Sequence, residues 1–122
     1  MRPLFQLLRR AVKPRFQVAF VGEDFPSPLP NRTLVITVDG SLALAAGMRC
    51  PCGCGDDVLL NLLADQRPTW HLTVRNGRAS LSPSVWRTSR CGAHFWLRDG
   101  RVEWTADQRN QLVKDVRAWF AR

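Results

Sequence analysis

Three of the chain's four cysteines fall within six residues, Cys50-Pro51-Cys52-Gly53-Cys54-Gly55, and the fourth stands far downstream in Cys91-Gly92-Ala93-His94. Thiolates this close repel one another unless a cation sits among them, and the cation that suits sulfur ligands is zinc. Pro51, Gly53 and Gly55 fit a tight metal knuckle in which backbone amides turn toward the sulfurs. The spacing inside the knuckle is one residue and one residue, not the usual two between a pair of cysteines. Five side chains compete for four places. Either Cys50, Cys52, Cys54 and Cys91 all bind and His94 is free, or His94 binds and one cysteine is free. A site of four thiolates is closed, so one structural Zn2+ is expected, with a catalytic zinc or a disulfide as alternatives.

A second group of residues has the types needed for nucleophilic catalysis. Ser84 lies in Leu81-Ser82-Pro83-Ser84-Val85-Trp86, where Pro83 breaks a strand and leaves the serine at a corner. Serine needs an adjacent base, and histidine titrates in the range suited to that work. If Cys91 is tied to a metal, His94 is held on a rigid base. Ser84 and His94 therefore form a candidate dyad, with Asp56, Asp57 or Glu103 available to orient the imidazole. The plainer reading has the serines capping turns and His94 ligating metal. His71, beside Trp70 in a strand-like stretch, reads as half-buried or exposed. With only His71 and His94 in the chain, His-Glu-x-x-His and His-x-His metallopeptidase patterns are excluded. A glycine-rich phosphate loop with a lysine and a zinc deaminase signature are also missing.

These residues need a scaffold, and the turn dipeptides supply one. Trp70–Arg75 and Arg78–Ser82 flank Asn76-Gly77, and Phe95–Arg98 and Arg101–Trp104 flank Asp99-Gly100, each a hairpin pattern. Leu34–Val38 turns at Asp39-Gly40 into Leu42–Met48, which runs directly into the cysteine knuckle. Phe16–Val21 reads as a further strand, and Asp57–Leu63 as a strand or a helical turn. Residues 25–31 hold three prolines and read as a loop. A short N-terminal helix over about 3–12 is expected from Leu4, Leu7, Leu8 and Ala11. A C-terminal helix over about 106–121 is expected from the capping box Thr105-Ala106-Asp107-Gln108 and the apolar face of Leu112, Val116, Trp119 and Phe120. The expected fold is a single domain, 1–122, mainly β (α+β), with a compact antiparallel sheet pinned by one zinc.

The charge is +8, from 18 basic and 10 acidic residues, sixteen of the former arginine. Such a surface attracts polyanions or an acidic protein partner, yet the basic residues form no continuous stripe for nucleic acid. No stretch approaches a membrane span, and no signal-peptide pattern opens the chain, so a cytoplasmic protein is expected. That setting favours metal over disulfide for the four cysteines.

The combination of Cys50-Pro51-Cys52-Gly53-Cys54-Gly55, Arg67-Pro68-x-Trp70, Ser82-Pro83-Ser84-Val85, Cys91-x-x-His94-Phe95 and Gly100-Arg101-Val102-x-Trp104 resembles a small bacterial and phage zinc-binding domain family. Its members occur beside ubiquitin-like proteins and their E1- and E2-like enzymes in bacterial ubiquitination-like operons. The resemblance spans roughly residues 33–104. It implies a peptidase, deubiquitinase-like, that processes or removes a ubiquitin-like protein. It also implies Ser84 as nucleophile, His94 as base and the cysteines as holders of a structural zinc. A substrate tail added to a strand edge, and backbone amides near the zinc loop as oxyanion donors, belong to the same expectation. The rival is a non-catalytic zinc module that binds an E1- or E2-like enzyme or, less expected, a nucleic acid.

Overall fold

The computed structural model describes residues 15–108. Nine strands succeed one another: β1 (Gln17–Val21), β2 (Thr33–Asp39), β3 (Leu42–Arg49), β4 (Asp57–Asn61), β5 (His71–Arg75), β6 (Arg78–Ser82), β7 (Val85–Trp86), β8 (His94–Arg98) and β9 (Arg101–Trp104). They form three sheets rather than one: β1-β2-β3-β4, β5-β6 and β7-β8-β9. Every pair is antiparallel except β1–β2, which is parallel. The expected mainly β architecture holds. The expected helix over 3–12 and nearly all of the one over 106–121 lie outside the described residues. Only 106–108 is seen, as a helical turn.

The hairpins form where the turn residues demand them. Asn76 and Gly77, and again Asp99 and Gly100, all have positive φ. That is the backbone of a two-residue turn whose twist matches the strands it joins. The stretch left open between strand and helical turn is a strand, β4, paired with β3 from Arg49↔Asp57 to Ala45↔Asn61.

The three sheets share one apolar cluster. Leu34 and Ile36 of β2, Met48 of β3, Val58 and Leu60 of β4, Ala79 and Leu81 of β6, Val85 of β7 and Phe95 and Leu97 of β8 all contribute to it. Phe95 is fully enclosed and meets Trp104 edge to face at 5.8 Å. Burying a side chain of that size is worth roughly 1.5 to 3 kcal/mol. Polar stitches fix how the sheets meet. The Gly100 amide donates to the Ala79 carbonyl at 2.8 Å, and the Phe16 amide donates to the Gly100 carbonyl at 2.7 Å. The Asp99 amide donates to Ser80 Oγ, while its carboxylate pairs with Arg15 and Arg78. The β8–β9 turn is thus tied to β6 and to the residues before β1.

Candidate active site and metal cluster

Position of the serine comes from its neighbours. The Asn61 side chain organises the link between β4 and β5, donating to the Leu63 and Pro68 carbonyls and accepting from the Leu63 amide. The Trp70 amide closes that link on the Asn61 carbonyl at 2.9 Å. Trp70 is then placed so that its indole Nε1 donates to the Ser84 carbonyl at 3.3 Å. From the other side, Val85 sits in the core and pairs with Phe95, which fixes the strand that follows Ser84.

His94 opens β8 and pairs with Trp86. Its Nε2 lies 2.9 Å from Ser84 Oγ, and its Nδ1 lies 3.4 Å from Asp107 Oδ2. With the proton on Nδ1, the ring donates to the carboxylate and accepts the serine hydroxyl proton, the geometry of a general base beside a nucleophile. The Trp86 indole stacks on the imidazole, centroids 4.6 Å apart and planes within 6°. Trp86 itself is 58% exposed. It covers one face of the ring and leaves its own outer face to solvent. The Thr105 amide and hydroxyl both point at the His94 carbonyl, each at 3.2 Å. The Asp107 carboxyl lies below its ordinary range because of the Thr105 side chain beside it, with its own amide and His94 adding to the effect. That keeps it ionised, as an orienting group must be.

Asp56, Asp57 and Glu103 do not orient the imidazole. Glu103 instead accepts from Arg98 at 3.1 Å, and Asp57 pairs across the sheet with Arg49. Sequence reasoning alone misses Asp107, although a signal for it is present. The Asp99-Gly100 turn sets the β8–β9 register, which opposes Phe95 to Trp104 and so brings the residues after Trp104 beside His94. His71 is exposed in β5.

The four cysteine sulfurs converge, all within 4.8 Å of one another. Cys50 Sγ lies 3.3 Å from Cys52 Sγ and 3.6 Å from Cys91 Sγ. Four sulfurs at zinc-bond length around one ion would stand about 3.8 Å apart, so the cluster has the right size. Cys50 is buried while Cys52, Cys54 and Cys91 are exposed, and all four are free thiols. Burial pushes the Cys50 thiol up. Cys52 is pushed up to about 12 by desolvation of its sulfur and then by Cys50 and Cys54. Cys91 goes the other way: burial opposes ionisation, but the Ala93 amide and the neighbouring thiols outweigh it. The protein alone therefore favours few thiolates at once, and a divalent cation is what would ionise the whole set. The residues present fit such an ion, and His94, engaged with Ser84 and Asp107, stands outside them.

One short loop joins the two centres. The Arg87 amide donates to the Ala93 carbonyl at 2.8 Å, and the Arg87 carbonyl accepts from the Arg90 and Gly92 amides. Gly92 has φ +78°, a conformation that favours glycine. This fold of 87–93 presents Cys91 to the knuckle at the end of β3 and holds Trp86 and His94 side by side at its base.

A family model described as a bacterial ubiquitination-like system serine protease (BubE) matches residues 21–105. Neither the curated proteins nor the solved structures gave a match. Among the described residues, no helix is long and apolar enough to cross a membrane.

Proposed function

Because the chain belongs to the family of bacterial ubiquitination-like system serine proteases, we propose that it is a peptidase in which Ser84 is the nucleophile, His94 the general base and Asp107 the orienting carboxylate. The observation that carries this reading is the 2.9 Å contact between Ser84 Oγ and His94 Nε2, continued from His94 Nδ1 to Asp107. Ser84 Oγ attacks the scissile carbonyl carbon as His94 Nε2 takes its proton. The imidazolium then gives that proton to the departing amine, which leaves an acyl-serine. Water, deprotonated by the same nitrogen, hydrolyses the ester and returns the serine. The amides of Arg87, Arg90 and Gly92 already donate within their own loop. Donors to the oxyanion therefore come from other amides, and since Pro83 has no N–H, the nearest in the chain is that of Ser84 itself.

Cys50, Cys52, Cys54 and Cys91 would hold zinc as a closed structural ion, supplying a cross-link between the end of β3 and the 87–93 loop. The substrate is a ubiquitin-like protein or its conjugates, processed in the bacterial cytoplasm. Its tail, if extended, would lie along a strand edge near Ser84. The charge of +8 favours an acidic partner surface.

The test is incubation of the metal-loaded chain with the ubiquitin-like protein of the same bacterial system, read by intact mass, with zinc quantified in every sample. Wild type should release a C-terminal fragment or separate a conjugate. Ser84→Ala and His94→Ala should each slow cleavage by roughly 10^4-fold or more while keeping one zinc. Cleavage unchanged in both folded variants sinks the peptidase reading. Loss of zinc in His94→Ala would make His94 a ligand and favour a binding module for a conjugation enzyme.

A further inference from the structure

Arg87 has no task in the proposed reaction, yet it is placed unlike any surface arginine. It directly follows Trp86, and its backbone makes the three hydrogen bonds that close the loop carrying Cys91. Its Nη1 is buried and has no hydrogen-bond partner among the described residues. A buried donor on a charged group left without an acceptor is costly, on the order of 1 to 3 kcal/mol or more. The guanidinium lies beside the Cys50 side chain, within electrostatic reach of Cys91 and Asp56. Cys50 is also the one buried sulfur of the four, and so the one that water solvates least.

Four thiolates around a divalent cation leave two net negative charges in a partly desolvated place. We propose that Arg87 is the counter-ion of the metal–thiolate cluster, donating N–H groups to the Cys50 thiolate and neutralising half of the excess charge. This assignment rests on the four-sulfur cluster and not on the peptidase reading. Arginine suits the role because its planar fork can serve more than one sulfur at once, which an ammonium cannot do in the same geometry. Because the same residue closes the 87–93 loop, the cluster's charge and the loop's shape are held by one side chain and its own backbone. Hydrogen bonds to a metal-bound thiolate also draw charge from the sulfur, so Arg87 protects Cys50 from electrophiles.

The test uses Arg87→Met, which keeps the length and removes the charge, and Arg87→Lys, which keeps the charge and removes the fork. Zinc affinity of the full chain is measured by competition with a chromophoric chelator. Alkylation of the zinc-loaded protein is followed by intact mass, and folding by circular dichroism. Arg87→Met should bind zinc roughly 10- to 100-fold more weakly, in line with other groups that support metal ligands, and its thiols should alkylate faster. Arg87→Lys should fall between Met and wild type. Wild-type affinity and wild-type alkylation rates in a folded Arg87→Met overturn the proposal. Should Arg87→Met not fold, Arg87→Lys decides: weaker zinc binding supports the fork-to-sulfur contact, and unchanged binding overturns it.

Discussion

The sulfur cluster and the Ser84–His94–Asp107 line share the 87–93 loop but are assembled in opposite ways. Three of the cluster's members are crowded into six residues, and only Cys91 comes from afar. The line takes one residue from the approach to β7, one from the start of β8 and one from the turn after β9, so strand pairing alone brings it together. The cluster's sulfurs would all ionise together only around a cation, which the chain does not itself supply. The line holds no ion of its own and its hydrogen bonds are already formed, but His94 follows directly on the loop that carries Cys91. The dependence should therefore run one way. Losing the ion should loosen the loop and with it the line, whereas damaging the line should leave the ion in place.

Removing the metal is the largest way to break this asymmetry. Chelation should take cleavage to background and lower the thermal midpoint by about 10 °C or more. A structural zinc contributes many kcal/mol where it has been measured, and about 1 kcal/mol shifts the midpoint of a domain this small by several degrees. Re-addition of zinc should restore both, and Cys50→Ser should copy the loss without rescue. A chelated protein that still cleaves would show that the line stands alone. Metal loss should also change the pH response. Cys50 and Cys52 are raised in the folded chain, Cys52 to about 12, so the folded state keeps protons that the unfolded chain releases above about pH 8.5. Their contribution to metal-free stability is complete below that pH and is lost as pH rises toward the folded values. Cys91, shifted the other way, offsets part of it. Thermal midpoints of the metal-free protein between neutral pH and about pH 10 should fall, and those of the zinc form should not.

A smaller effect sharpens the comparison from the other side. Asp107→Asn keeps the shape and removes the charge that orients His94. Asp107 is exposed and 3.4 Å from Nδ1, so its loss should cost less than the roughly 10^4-fold seen where such a carboxylate is buried. A fall in kcat of about 10- to 100-fold is expected, with KM and zinc content unchanged and partial recovery in Asp107→Glu. A shift in KM alone would make Asp107 a substrate contact. Unchanged kcat would reduce the line to Ser84 and His94.

The same contrast governs what is legible in the sequence. The cluster is legible because cysteines crowded this closely repel one another as thiolates and suit little besides a metal. The hairpins at Asn76-Gly77 and Asp99-Gly100 are legible because those residues tolerate positive φ at both turn positions. The parallel pairing of β1 with β2 is not, since pairing direction depends on how residues 22–32 cross over, and no local pattern encodes that. β7 is two residues long, too short for any periodicity to mark it. The Ser84–His94 pairing is visible as a candidate only because Cys91 ties His94 near the knuckle. Asp107 stays hidden because the capping box already gives that stretch a sufficient structural role.

The smallest expected effect on catalysis comes from the four-stranded sheet, and it tests whether that sheet is separable from both centres. Gly47 lies in β3, two residues before Arg49 and three before the buried Cys50. A Cβ built there would stand 2.7 Å from Phe25 Cε1 and 3.1 Å from Leu59 Cδ2. Neighbouring Ala46 and Met48 face the core, so the clash falls on the opposite face of the sheet, under the Phe25 ring. Gly47→Ala should force that ring aside and cost about 1 to 3 kcal/mol, the usual range for overpacking. The thermal midpoint should drop by several degrees. At 25 °C, well below the midpoint, cleavage rate and zinc affinity should match wild type. Adding Phe25→Leu should recover part of the stability, because a smaller side chain clears the space. If Gly47→Ala instead weakens zinc binding, strain in β3 reaches Cys50. The sheet then helps set the knuckle, and the one-way dependence extends back into the core.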